Sequence, residues 1–380
     1  MPQPDLPDEG VFVGRVWRPD IGPAVVVHRD GRLLDVTCPE VTTMRDLLER
    51  DDPVGWLQAQ RGADIGSLSD FAVMGAGGND PRLLSPADLQ AIKASGVTFA
   101  ASMVERVIEE QAAGDPDQAA AIRARIGEAI GANLRGIVPG SDRAAEVARI
   151  LKSEGLWSQY LEVGIGPDAE IFTKCQPMAS VGWGADVGLH PISRWNNPEP
   201  EIVLAVDSSG RVRGATLGND VNLRDVEGRS ALLLGKAKDN NASAAIGPFI
   251  RMFDAEWGLD QVRAAELTLR VEGTDGFVLD GRSSMSQISR DPADLVAQAI
   301  GRHHQYPDGF MLYLGTLFAP TQDRDAPGQG FTHHPGDIVT IREPALGALT
   351  NTVRSCTDCP SWTFGTAALM RSLAGRGLLA

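Results

Sequence analysis

The strongest constraint on the fold is a series of short apolar runs in the second half of this 380-residue chain. Turn-forming stretches such as Thr274-Asp275-Gly276 separate these runs. Apolar runs of four to six residues between turns are typical of β-strands. They do not alternate with long helical patterns, as they would in a parallel sheet. The chain is therefore predicted to be an α+β protein with a mixed or antiparallel β core, whose strands are 170–174, 202–206, 212–217, 267–271, 311–314 and 338–341.

Two further regions precede this core. Residues 1–85 are predicted to be a small strand-rich N-terminal domain, because a hairpin signal, Asp30-Gly31, joins β-like runs and a glycine-rich stretch follows. Residues 86–380 then form the larger domain. Within it, residues 102–160 are predicted to be a helical segment that could close over a site as a lid. One helix in it is predicted to start at Ser141 and stop at Gly155.

The net charge of −15 argues against nucleic acid or an anionic membrane as a partner, because phosphate surfaces would repel the chain. No apolar stretch approaches the roughly 20 residues that span a bilayer, and the N-terminus has no secretory pattern. Four cysteines in so long a chain do not make a disulfide framework. The expected location is the cytoplasm.

Two glutamates, Glu199 and Glu201, flank Pro200 at the entry of a predicted strand. The two-residue period of a strand places both carboxylates on one face, where they repel each other unless a cation lies between them. Carboxylate oxygens favour magnesium, with manganese or calcium as alternatives. A solvated edge strand, protected by Glu and Pro, explains the same residues.

A third carboxylate, Asp220, ends the next predicted strand, and Arg224 and Lys236 follow it. Three carboxylates with nearby basic groups suit a small anionic 2-oxo acid. The metal would bind its carboxylate and keto oxygens, while Arg or Lys neutralises the remaining charge.

These motifs follow one another in a recognisable order: E-x-E, N-D-x-x-x-R-D, G-K-x-x-D and a downstream G-P. Together they resemble the fumarylacetoacetate hydrolase family over residues 95–355. The stretch 236–250 and the run W-N-N-P-E-P-E are most similar to its 2-keto-3-deoxy-pentonate dehydratase branch. The resemblance implies a mixed β-sheet roll and a homodimer or dimer of dimers. It also implies dehydration of a 2-keto-3-deoxy sugar acid to 2-oxoglutarate semialdehyde in sugar catabolism.

The resemblance also assigns roles to individual residues. The metal ligands would be Glu199, Glu201 and Asp220, and the substrate-binding residues would be Arg224, Thr316, Lys174 and Ser102. Ser102 stands where many family members carry a histidine that completes a water-activating His–Glu pair. Its presence favours lyase chemistry over hydrolysis.

In the expected reaction, a base removes a C3 proton, the C4 hydroxyl leaves, and ketonisation toward C5 gives the semialdehyde. Lys236 is the predicted base, although it could instead be a charge partner of Asp239. Glu105 is predicted to protonate the leaving hydroxyl, unless it lies on a solvated helix face. The alternatives are a C–C bond hydrolase or decarboxylase that acts on an acylpyruvate or diketo acid, and a non-catalytic, metal-stabilised binding protein.

Overall fold

The computed structural model describes residues 2–99, 137–155, 157–318, 320, 322–327 and 330–379. Two β-sheets with short helices around them confirm the predicted α+β class. The strands are β1 (Phe12–Arg18), β2 (Gly22–Arg29), β3 (Arg32–Asp35), β4 (Ala63–Ser67), β5 (Arg82–Leu84), β6 (Ala91–Gly96), β7 (Glu170–Cys175), β8 (Asp186–Leu189), β9 (Pro200–Val206), β10 (Val212–Asp220), β11 (Ala244–Met252), β12 (Glu266–Glu272), β13 (Val278–Ser284), β14 (Phe310–Tyr313), β15 (Ile338–Glu343) and β16 (Gly347–Ser355).

The helices are short, and most lie in the connections between strands. They are α1 (Met44–Leu48), α2 (Pro53–Ala59), α3 (Leu68–Phe71), α4 (Asp142–Ser153), α5 (Gln159–Ile165), α6 (Arg224–Glu227), α7 (Leu234–Lys238), α8 (Leu259–Arg263), α9 (Pro292–Ala299) and α10 (Thr366–Gly375). Single 3₁₀ turns cover Ala231–Leu233 and Met285–Gln287. Among the described residues, no helix is long and apolar enough to cross a membrane.

The larger sheet joins the N-terminal strands to the later ones. Its spatial order is β4-β3-β2-β1-β11-β10-β9-β14-β6-β7, and β5 pairs with β1 outside this path. Strand β1 reaches the later strands through β11, where Val13 lies opposite Ile250. The division into domains 1–85 and 86–380 stays a prediction. Strand β14 runs parallel to β6 and antiparallel to β9.

The smaller sheet has the order β13-β12-β15-β16-β8, and its side chains Leu269 and Ile341 pack in one core with residues of the larger sheet. Strand β12 alternates between exposed and buried residues, as expected for a sheet with one solvated face. Strand β9 is buried along its whole length. Its side chains Ile202 and Leu204 pack in one core with Leu267, and Val203 packs in a second core with Met44.

The strands expected from the sequence correspond to β7, β9, β10, β12, β14 and β15, with boundaries that differ by a few residues. The helix expected from Ser141 is α4, and the Ser141 hydroxyl accepts a hydrogen bond from Ala144 N at 3.2 Å. Much of the predicted 102–160 helical segment, including Ser102 and Glu105, lies outside the described residues.

Candidate metal centre

Three buried carboxylates converge where β9 begins and β10 ends. Oxygens of Glu199, Glu201 and Asp220 all lie within 4.8 Å of one another. The register explains this convergence, because Glu201 lies opposite Gly218 and Asp220 follows two residues later on the same strand face. The two-residue period thus places side chains from both strands on one side of the sheet.

Hydrogen bonds from neighbouring groups fix two of these carboxylates. The Asn222 side-chain amide donates to Glu199 Oε1 at 2.9 Å, and the Gly315 backbone N–H donates to Glu201 Oε2 at 2.6 Å. The backbone N–H of Glu199 donates to Asn219 Oδ1 at 3.1 Å. The Glu199 and Glu201 carboxylates are therefore held by the segments that follow β10 and β14.

Two buried lysines contact the carboxylates. Lys238 Nζ, at the end of α7, lies 2.6 Å from Glu199 Oε2 and 3.0 Å from Asp220 Oδ2. Lys174 Nζ, on β7, lies 2.8 Å from Asp220 Oδ1. Asp220 thus receives an ammonium group at each of its oxygens.

The close packing of charged groups shifts the pKa values of Glu201, Asp220 and Lys238 away from their usual values. Burial raises the pKa of Glu201 well above its usual value, and the nearby Asp220 and Glu199 carboxylates raise it further. Burial would also raise the pKa of Asp220, but Lys174 and Lys238 hold it below its usual value. Burial would lower the pKa of Lys238, yet Asp220 and Glu199 raise it.

The donor set fits a divalent cation. Three ionised carboxylates exceed the two ammonium groups by one negative charge, and a raised pKa at Glu201 is the expected response to that excess. Asn222 Oδ1, on the side chain that contacts Glu199, is buried and has no hydrogen-bond partner among the described residues. Such hard oxygen donors are those that magnesium, manganese and calcium take.

The edge-strand explanation for Glu199 and Glu201 is wrong. Strand β9 lies between β10 and β14 inside the larger sheet, and both glutamates are buried. Edge protection requires exposed side chains on a strand with one unpaired side.

The buried lysine beside the carboxylates is Lys238, so the expectation that Lys236 is desolvated at the metal needs correction. Lys236 is exposed, whereas the side chain of Lys238 is 4% exposed. Residues two apart on a helix project about 200° apart, so α7 can bury only one of this pair at the site. The sequence signal for Lys238 was present in K-A-K-D, but it did not show which lysine faces inward.

Lys174 lies beside the carboxylates, on strand β7. Its fully buried ammonium contacts Asp220 and donates to Val221 O at 3.2 Å and Lys238 O at 2.6 Å. Lys174 thus donates two hydrogen bonds to backbone carbonyls and forms an ion pair with Asp220, and its expected contact with a substrate stays a prediction.

Two of the remaining expected residues, Thr316 and Arg224, lie in the described part of the chain. Thr316 is half-buried and directly follows Gly315, which donates to Glu201. Arg224 is half-buried at the start of α6, with its guanidinium 4.3 Å from the centre of the Trp195 ring. Ser102 and Glu105 are not among the described residues, so their roles stay predictions.

Comparison with known proteins gives one matching family and several relatives. Residues 177–354 match the family described as Fumarylacetoacetate (FAA) hydrolase C-terminal. A 2-dehydro-3-deoxy-D-arabinonate dehydratase from Saccharolobus solfataricus is 29% identical over 185 residues, which cover 49% of this chain and 58% of that relative. A protein from Haloferax volcanii, named a probable 2-keto-3-deoxyxylonate dehydratase, is 28% identical over 51% of this chain and 63% of its own length. The chain thus spans less than two thirds of both relatives.

A solved structure shows the same fold over most of the chain. It is a 2-keto-3-deoxy-D-arabinonate dehydratase complexed with magnesium and 2,5-dioxopentanoate. The TM-score is 0.63 at 21% identity, and the match covers 90% of this chain and 99% of that one. At this identity the likeness shows the fold alone.

Proposed function

We propose that this chain, whose residues 177–354 match the fumarylacetoacetate hydrolase family, is a metal-dependent dehydratase of a 2-keto-3-deoxy sugar acid. Its substrate would be a pentonate and its product 2-oxoglutarate semialdehyde, in sugar catabolism. The observation that carries the proposal is the buried Glu199–Glu201–Asp220 cluster with Lys238 bonded to two of its members.

The relatives support the choice of reaction within the family. Two curated relatives are named as dehydratases of 2-keto-3-deoxy pentonates. The structural relative is complexed with 2,5-dioxopentanoate, which is the same compound as 2-oxoglutarate semialdehyde. Magnesium is the proposed cofactor, with manganese or calcium as substitutes, because the site offers carboxylate oxygens and that relative holds magnesium.

The three carboxylates would hold the cation. When bound, a divalent cation supplies Lewis-acid stabilisation of the negative charge that develops on a keto oxygen next to an acidified carbon. The protein's own task is then to orient a 2-oxo acid against the cluster and to move protons. Arg224 and Thr316 are the proposed contacts for the substrate's anionic end.

Lys238 is the proposed proton-transfer group, in place of Lys236, because a cation held by Glu199 and Asp220 would offset the negative charges that raise the pKa of Lys238. Its Nζ lies within 3.0 Å of oxygens from two proposed metal ligands, so a substrate held at the cluster would lie within its reach. The reaction moves a C3 proton, releases the C4 hydroxyl as water and ends as an aldehyde at C5. Glu105 stays the proposed donor to the leaving hydroxyl, and a homodimer or dimer of dimers stays the proposed assembly.

The test is a mass measurement of products. The protein, loaded with magnesium, is incubated with a panel of 2-keto-3-deoxy acids and acylpyruvates. Loss of about 18 mass units from a 2-keto-3-deoxy pentonate is the expected result, because one water leaves. Two fragments from an acylpyruvate would indicate a C–C bond hydrolase instead. Tight metal binding without turnover on any panel member would indicate a binding protein.

A further inference from the structure

We propose that Thr98 is a positioning residue for Glu201 and that it acts through the Leu314–Gly315 peptide. The inference rests on the proposed metal site, in which Glu201 is a ligand. The Thr98 hydroxyl is buried and donates to Leu314 O at 2.7 Å. On the other side of the same peptide unit, Gly315 N–H donates to Glu201 Oε2 at 2.6 Å.

A planar peptide couples these two hydrogen bonds. The carbonyl of Leu314 and the N–H of Gly315 belong to one rigid unit, so a donor that fixes the carbonyl also fixes the direction of the N–H. The donor at Thr98 further polarises the peptide, which strengthens the bond that its N–H makes. Thr98 therefore sets where the Glu201 carboxylate points, without touching it.

The backbone conformation of Gly315 allows the close approach of the Leu314–Gly315 peptide to Thr98. It has a φ of +89°, a conformation that glycine adopts readily. A Cβ added at this position would lie 2.1 Å from Thr98 Oγ1. Only a residue without a side chain lets the peptide approach the threonine this closely.

Thr98 itself is held firmly. Its carbonyl accepts hydrogen bonds from Ser289 N at 2.8 Å and Ser289 Oγ at 2.7 Å. The residue before it, Val97, has a φ of +53°, which is a strained conformation for a β-branched side chain. Strain of this kind persists only where surrounding contacts impose it, and it concentrates near functional sites.

The closing experiment measures Mg²⁺ binding by calorimetry, without substrate. Thr98→Val keeps the shape of the side chain and removes the donor, and Thr98→Ser keeps the donor. The matched control is Thr350→Val, which removes another buried hydroxyl, one that lies 3.1 Å from Thr340 Oγ1 on the smaller sheet. Removing a partner that orients a metal ligand typically weakens metal binding by about 10-fold or more.

We expect Thr98→Val to raise the Mg²⁺ Kd about tenfold, and Thr98→Ser and Thr350→Val to keep the wild-type Kd. Catalysis by Thr98→Val should recover at high Mg²⁺, since its defect lies in metal binding. If Thr98→Val does not fold, Ser289→Ala, which removes one of the two donors to Thr98 O, should raise the Kd by a smaller factor. A wild-type Kd in Thr98→Val, or in Ser289→Ala when it is the variant measured, would overturn the role of Thr98 and leave the metal site intact. Wild-type protein that binds no Mg²⁺ would overturn the proposed metal site and this inference together.

Discussion

Replacing Lys238 by methionine tests which of the two lysines of α7 acts at the carboxylates. The substitution removes a buried ammonium group that contacts two of them. Lys238 Nζ contacts Glu199 and Asp220 at 2.6 and 3.0 Å, and its side chain is 4% exposed. A unit charge pair at 3.0 Å in an effective dielectric of about 20 has a Coulomb energy of about 5–6 kcal/mol before desolvation is counted. Removing one partner of a buried pair costs about 3–5 kcal/mol, because the other charge stays buried.

Without metal, Lys238→Met should therefore lower the free energy of unfolding by about 3–5 kcal/mol. Saturating Mg²⁺ should narrow that difference, because a cation replaces the lost positive charge at the carboxylates. The turnover number should fall by about 100-fold or more at any Mg²⁺ concentration, since the proposed proton-transfer group is gone.

Urea unfolding in EDTA and in Mg²⁺, followed by a turnover assay, gives both readouts. Lys236→Met is the matched control, because Lys236 is exposed on the same helix. It should change the free energy of unfolding by no more than about 0.5 kcal/mol and leave turnover unchanged. Equal losses of metal-free stability in the two variants would refute the electrostatic account of Lys238.

Two further predictions concern residues around the site. The Nδ1 atom of His333 lies 3.0 Å from Asp337 Oδ2, and burial lowers the pKa of His333. As the pH falls below about 6.5, the imidazole of His333 is therefore protonated in the unfolded chain before it is protonated in the folded protein. The free energy of unfolding should therefore drop as the pH is lowered from about 7 to about 5. His333→Asn should reduce the slope of unfolding free energy against pH by up to about 1.4 kcal/mol per pH unit, and an unchanged slope would contradict this prediction. A Cβ at Gly218 would lie 2.3 Å from the Tyr313 ring, so Gly218→Ala should destabilise by about 1–3 kcal/mol in urea unfolding. Gly235→Ala, on open helix surface, should stabilise by up to about 1 kcal/mol, and equal effects of the two substitutions would show that the packing argument is wrong.

Local patterns were sufficient to predict β7, β9, β10, β12, β14 and β15 and the acidic cluster, whereas strands such as β8, β11, β13 and β16 were not predicted. The strand period placed Glu199 and Glu201 together, and the end of the next strand placed Asp220, because an antiparallel pair brings such positions to one edge. The start of α4 was equally local, since the Ser141 hydroxyl caps it.

What the sequence did not show depends on contacts distant along the chain. The choice between Lys236 and Lys238 is made by how α7 packs on the carboxylates, which a five-residue helix does not encode locally. The supporting place of Lys174 arises because β7 lies beside α7, so its ammonium meets the carbonyls of Val221 and Lys238. The contact of Thr98 with Leu314 spans 216 residues of sequence and follows from the parallel pairing of β6 with β14.

The most direct test of the central claim is metal dependence tied to the three carboxylates. Wild-type protein treated with EDTA should lose turnover of a 2-keto-3-deoxy pentonate and regain it when Mg²⁺ is added. Glu201→Gln removes one ligand charge and keeps the shape of the side chain, so it should bind Mg²⁺ at least about tenfold more weakly and stay inactive at Mg²⁺ levels that restore the wild type. Full turnover in metal-free wild type, or wild-type activity and affinity in Glu201→Gln, would contradict the account.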